Sequence, residues 1–222
     1  MTATVTRVAE ANPEPALATA VTALSSRRAR PILVAAVALG ALTAWQGTAE
    51  APVPTAVEIG TAAMPMWRLL ALGAAVLPVL GMHSRLADLE AVATRRLCRF
   101  QRAYLAGTAL ACLVIYVGVS AIAVPLTILV TMVRSWLGWF GLALVAGVIL
   151  GWWLAWTLPA LISTILIYWG YQGGGGYEWW EFSARPSGDV PSLLVSVTLF
   201  GIGLGAYWLT PWRRRRLALW RR

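Results

Sequence analysis

Apolar runs and short polar stretches alternate along the chain, and the run lengths predict helices that cross a bilayer. The first run covers about 31–45, the second about 66–82, a long one fills 103–171, and the last covers about 193–212. Lipid offers no hydrogen-bond partners, so such segments satisfy their backbone only as helices. The expected fold is all-α, a polytopic transmembrane helix bundle of about six spans. Residues 1–30 lack a periodic apolar face and read as a flexible tail, 31–212 as the transmembrane domain, and 213–222 as a basic tail. The first run is short and is followed by Ala49, Glu50 and Ala51, which also suits a signal peptide with a cleavage site; a retained span is expected.

Two divisions of 103–171 compete, because three crossings fit its length and its single charge is Arg134. In one, the third span ends near Met132, Arg134 lies at the outer surface, the fourth span covers 136–156, and a short fifth follows Pro159. In the other, the chain turns near Pro125 and Arg134 enters the membrane. The first is preferred, since an unpaired membrane Arg is costly and Trp136 and Trp139 suit an interface. Arg68, in the first turn of the second span, is expected to snorkel to the outer headgroups.

Charge orients the bundle. The chain has no Lys, and every Arg except Arg68, Arg134 and Arg185 falls before the first run, in 85–102, or after the last run. The polar stretches 46–65 and 172–191 instead hold Glu50, Glu58, Glu178, Glu181 and Asp189. The positive-inside rule therefore puts both termini and 83–102 in the cytoplasm, with the acidic stretches outside. These arginines suit anionic lipid headgroups, and no DNA-reading motif accompanies them, so nucleic acid is not an expected partner. Abundant Arg and Ala without Lys also points to a high-GC bacterial origin, hence a bacterial inner membrane.

Within 83–102, Leu86, Leu89, Ala93, Leu97 and Phe100 recur at helical spacing, with Arg95, Arg99 and Arg102 on another face. This is a cytoplasmic amphipathic helix, either lying under the bilayer or docking a cytoplasmic protein. The outer stretch places Gly173, Gly174, Gly175 and Gly176 before Trp179 and Trp180. It reads as a flexible loop with an aromatic belt, or as a re-entrant or gating element. Gly201 and Gly205 form a GxxxG pair for close helix packing, extended by Gly203.

Several chemistries are excluded. A Walker phosphate loop and a Schiff base both need the missing Lys. His83 is the single His, so no HExxH zinc site exists, and Cys98 and Cys112 make no CxxC. Ser120 and His83 fall at opposite ends of different spans, which opposes a serine-protease pair. No carboxylate lies within a predicted span, so a proton-driven pump and an intramembrane glutamate enzyme lose their usual residue. Trp152, Trp153 and Trp156 read as lipid-facing bulk or as the lining of an amphipathic ligand route.

The order of parts is a cytoplasmic N-terminus, two spans, a basic helical stretch, three spans, a polar outer segment, and a last span ending in Arg-rich sequence. This layout, with the segment HSRLADLEAVATRRLCRFQRAYL, resembles the permease subunit of ABC-2 type exporters over roughly residues 27–216. It departs in a shorter first span and outer loop and in compressed fourth and fifth spans. The resemblance implies a dimer, with an identical or related second permease copy, bound to two ABC ATPase subunits. Those subunits would carry ATP and Mg, while this chain binds no cofactor and is not an enzyme. The exported molecule would be a drug, peptide, lipid or polysaccharide. The ATPase would dock on Arg85, Leu86, Leu89, Glu90, Ala93, Leu97 and Phe100. A non-transporting scaffold or assembly subunit using the same helix is the alternative.

Overall fold

The computed structural model describes residues 29–54, 56, 61–83, 95–173 and 176–209. Residues 1–28 of the expected N-terminal tail, the C-terminal tail, Gly174, Gly175 and the docking candidates Arg85, Leu86, Leu89, Glu90 and Ala93 lie outside the described residues, as does the side chain of Leu97, while Ala29 and Arg30, expected in the tail, begin the first helix. Among the described residues there are six α-helices: α1 Ala29–Gln46, α2 Trp67–Leu80, α3 Arg95–Ser120, α4 Leu126–Ile149, α5 Thr157–Trp169 and α6 Val190–Leu209. A 3-10 turn, Trp152–Leu154, precedes α5. Two antiparallel hairpins, β1 Glu50–Pro54 with β2 Thr61–Pro65 and β3 Tyr171–Gly173 with β4 Gly176–Tyr177, were not expected from the apolar pattern.

Five helical segments, Ala29–Gln46, Arg99–Ser120, Leu126–Ile149, Trp152–Trp169 and Val190–Leu209, are long and apolar enough to cross a membrane. The chain is thus a multi-pass helical membrane protein. The remaining helix, α2, has 14 residues and a length of about 21 Å at 1.5 Å per residue, short of the ~30 Å hydrocarbon core. Successive helices run in opposite directions. At one end Ile32, Gly81 and Tyr104 meet, and Arg99 and Arg102 mark it as the basic end. The other end carries both hairpins. There the amides of Met66 and Trp67 donate to the carbonyls of Ala49 and Gly47 at 3.0 and 3.1 Å, and that of Ala56 donates to Tyr168 at 3.0 Å. The first hairpin is thereby tied to the end of α5.

The preferred division of 103–171 is overturned. Helix α3 stops at Ser120, the chain turns through 121–125, and α4 continues unbroken past Met132, Arg134 and Trp136. Pro125 has no N–H to donate and biases the preceding residue away from helical backbone, so the break falls there. Nor do Trp136 and Trp139 form an interfacial belt: they are buried, with Trp136 stacked on Phe140 at 4.9 Å. Helix α3 is also continuous across residues 102 and 103. Near its start Gln101 is buried, and the Arg102 guanidinium lies 4.0 Å over the Trp208 ring of α6.

Helix α4 is the core. Of its spanning window 72% is buried, against 22–33% for the other four, so it is wrapped by its neighbours while they face outward. Its closest neighbour is α6, where the close approach is made by Gly141 and Gly203: a Cβ on Gly203 would stand 2.7 Å from the Gly141 Cα. The expected GxxxG pair does not make this contact. Gly201 and Gly205 have open space where a Cβ would go, because a helix brings residues two apart onto different faces. Without a hydrophobic drive in lipid, such backbone contact supplies the van der Waals attraction that joins helices.

Replacing Gly203 by Ala should therefore force α4 and α6 apart. It should lower stability by about 1–3 kcal/mol, while Gly201→Ala should stay within about 0.5 kcal/mol of the parent. Thermal unfolding of the two variants in one detergent tests this ordering.

Candidate functional site

The segment 178–189, between β4 and α6, folds down against α2, α4 and α5 instead of spreading over the hairpin end. Two glycines make room for it. A Cβ on Gly138 of α4 would lie 2.6 Å from the Phe182 ring, and one on Gly170, after α5, 2.7 Å from Cγ of Glu181. Phe182 sits in the first recess with its ring 4.8 Å from that of Trp139. Gly138 lies twelve residues into α4, so the segment reaches about 18 Å along that helix.

Two arginines hold it. Arg68 is not at the surface: its side chain is 7% exposed, and Nη2 donates to Oε2 of the fully buried Glu181 at 2.7 Å. The same guanidinium donates to the Ser183 hydroxyl from Nε at 3.2 Å and Nη2 at 2.9 Å. Ser183 in turn donates its hydroxyl and its amide to Oε1 of Glu181, at 2.7 and 3.0 Å. Snorkelling fails as a description because α2 begins beneath the hairpins, where a carboxylate reaches the side chain before headgroups can.

Arg134, also buried, donates from Nε to the Phe182 carbonyl at 3.2 Å, from Nη1 to that of Pro186 at 2.8 Å, and from Nη2 to that of Arg185. Its neighbour Ser135 shares its one hydroxyl proton between the Thr131 carbonyl at 2.8 Å and the Ser183 carbonyl at 3.0 Å. A guanidinium has five N–H donors in a planar fork, which suits it to several carbonyls at once. The charge expected at the outer surface is thus enclosed by the chain's own backbone.

The segment ends in a helix cap. Asp189 accepts from the Ser192 amide at 2.9 Å and from its hydroxyl at 2.5 Å, and pairs with Arg185 at 3.1 Å. This capping explains why α6 starts at Val190, ahead of the expected 193. The Ser192 hydroxyl bond holds the Asp189 carboxyl below its ordinary range against the opposing effect of burial, with smaller help from the Ser192 amide, Arg185 and Arg134. Burial pushes the Tyr177 phenol up, opposed by Arg68, whose guanidinium is 5.8 Å from the ring centre.

Of the expected outer-gate residues, Gly173 and Gly176 pair across β3 and β4, Trp179 is exposed, and Trp180 packs against the core. The residues that enter the bundle are the next three, Glu181, Phe182 and Ser183. Phe100 is half-buried on α3 at the opposite end. There, a cleft of about 240 Å³ is lined by Ile32, Leu77, His83 and Trp153 among others. Trp152 packs edge-on to Tyr207 at 6.0 Å, while Trp153 and Trp156 are exposed. Beside Arg68 the cavities are only about 10 Å³ each. Each is on the order of one water sphere. No group of three His, Cys, Asp or Glu side chains suited to a metal occurs among the described residues.

Sequence reasoning named Arg68 and Arg134 but not their partners. The available signal was the isolation of these two cations in apolar runs and of Glu181 within an aromatic run, WWEF. Comparison of the chain with family models, curated proteins and solved structures gives no match.

Arg68→Met alone should strand a buried carboxylate and cost about 3–5 kcal/mol, whereas Arg68→Met with Glu181→Leu should recover most of the loss. A double-mutant cycle from thermal unfolding checks this. Asp189 has a depressed pKa in the folded state, so its charge stabilises fully above the ordinary carboxylate pKa of about 3.9 and the benefit is lost as pH falls through the folded value. Asn also caps helices well. Asp189→Asn should therefore differ from the parent at pH 7 by more than it does at about pH 2, with melting temperature as the readout.

Proposed function

We propose that this chain is the permease subunit of an ATP-binding-cassette exporter in a bacterial inner membrane, working as a dimer with ATP hydrolysis in a separate subunit. The observation that carries the reading is the division of labour between the two ends of the bundle. The connection between α2 and α3 leads into an Arg-rich helix start at the basic end, while the connection between α5 and α6 folds into the opposite end. With the basic end in the cytoplasm, the first connection is available to an ATPase, and the second stands where exported molecules leave. The positive-inside distribution of Arg supports that orientation. The pathway would form between two copies, since the single bundle is packed shut around α4.

The closed packing also favours a second reading, a scaffold that recruits a cytoplasmic partner without transport. An ATPase separates the two. Co-expression with the ATPase encoded beside its gene, followed by purification through a tag on this chain, should retain stoichiometric and active ATPase if it is a permease. Replacing Leu89 and Leu97 by Asp should abolish that retention while leaving membrane insertion intact. Unchanged retention would remove the docking role, and a lone membrane subunit from the parent would leave the scaffold.

A further inference from the structure

Two cations from different helices converge on one short stretch of chain. Arg68 is answered by the Glu181 carboxylate at 2.7 Å, but Arg134 is answered by carbonyls, and the salt bridges among the described residues do not include it. The recess that receives 181–183 therefore carries two positive charges against one carboxylate in direct contact. The Ser135 hydroxyl adds a donor, and Gly138 and Trp139 form an apolar wall. What fills the recess is a carboxylate beside an aromatic ring, Glu181 followed by Phe182.

Apart from the Phe182 ring, the seal is made of polar contacts. An ion pair, hydroxyls and carbonyls regain hydration when separated, so much of the cost of breaking them is returned by water. Apolar packing has no such return. Glu181 is fully buried beneath the segment's own contacts.

Resting on the permease reading, we infer that residues 178–189 are a displaceable plug over an anion site formed by Arg68, Arg134 and Ser135. The site takes transported anionic amphiphiles, with a carboxylate or phosphate attached to an apolar ring or chain. Glu181 and Phe182 occupy the place of such a molecule when the end is closed. Displacement exchanges one carboxylate for another at Arg68, so the number of buried charges there is unchanged.

The test uses 4-phenylbutyrate, a carboxylate on a short chain bearing a ring, titrated calorimetrically into the full chain in nanodiscs. Glu181→Gln, nearly the same shape but uncharged, should bind it at least ten-fold more tightly than the parent. Glu181→Gln with Arg68→Gln should lose that gain, and neutral 4-phenylbutanol should not discriminate among the three proteins. Equal affinity in the parent and Glu181→Gln, or a gain that survives loss of Arg68, overturns the proposal. A second measurement keeps Glu181 in place. With Cys98 and Cys112 replaced by Ser, Ser183→Cys should react several-fold faster with a membrane-impermeant maleimide when 4-phenylbutyrate is present, and an unchanged rate overturns displacement. ATPase retention is scored separately: anion binding without an ATPase keeps the site and removes the exporter, whereas an ATPase without anion binding removes the site alone.

Discussion

A guanidinium buried among apolar helices has to be given acceptors, and this bundle must do so twice at one end. Arg68 and Arg134 stand on α2 and α4, which turn these side chains toward a common space. An uncompensated charge there would cost several kcal/mol. The chain answers with the segment before α6, which brings one carboxylate, one hydroxyl and a row of carbonyls into that space. The positions of Phe182, of the second hairpin and of the first turn of α6 all follow from that insertion, because they lie within a few residues of the bonded groups.

Helix α4 can hold this arrangement because its glycines fall on different faces. Gly138 receives the Phe182 ring, Gly141 receives the backbone of α6, and Gly147 lies against Trp152 and Val79 near the basic end. Bulky partners fill the spaces between, with Trp136, Trp139, Phe140 and Leu144 all buried. Alternation of large and absent side chains along one helix lets three different neighbours approach it closely, which is the packing that membrane helices depend on. The outward faces of α1, α3, α5 and α6 keep Val, Leu, Ile and Trp exposed, as lipid-facing surfaces do.

The two ends are chemically unlike, and the functional reading grows from that contrast. At the hairpin end, the Arg68 and Arg134 guanidiniums are turned inward and given acceptors. At the basic end, Arg99 is exposed and Arg102 rests on Trp208, and a wider cleft opens beside His83. An end whose cations are enclosed by the chain's own acceptors, opposite an open cationic one, suits a protein that meets a partner on one side and guards an exit on the other.

Much of this was legible from residue order alone. Helix existence follows from hydropathy and length, both local properties, and the Arg distribution points to one end without any contact being known. Pro125 carries the signal for the turn, and the competing expectation of a later break rests on the cost of an Arg inside the bundle. That cost is real only for an unpartnered cation, and the partners lie far off in sequence: Glu181 is 113 residues from Arg68, and the Arg134 acceptors are backbone carbonyls about 50 residues away. Likewise GxxxG marks a surface that permits close contact, but the neighbour decides which surface is used, so Gly203 packs and Gly201 stays open. Composition and periodicity determined that the chain is a bundle of apolar helices with one cationic end. Tertiary structure decided where its buried charges find their acceptors, since pairing depends on which faces meet and helices apolar on every side do not announce that in their sequence.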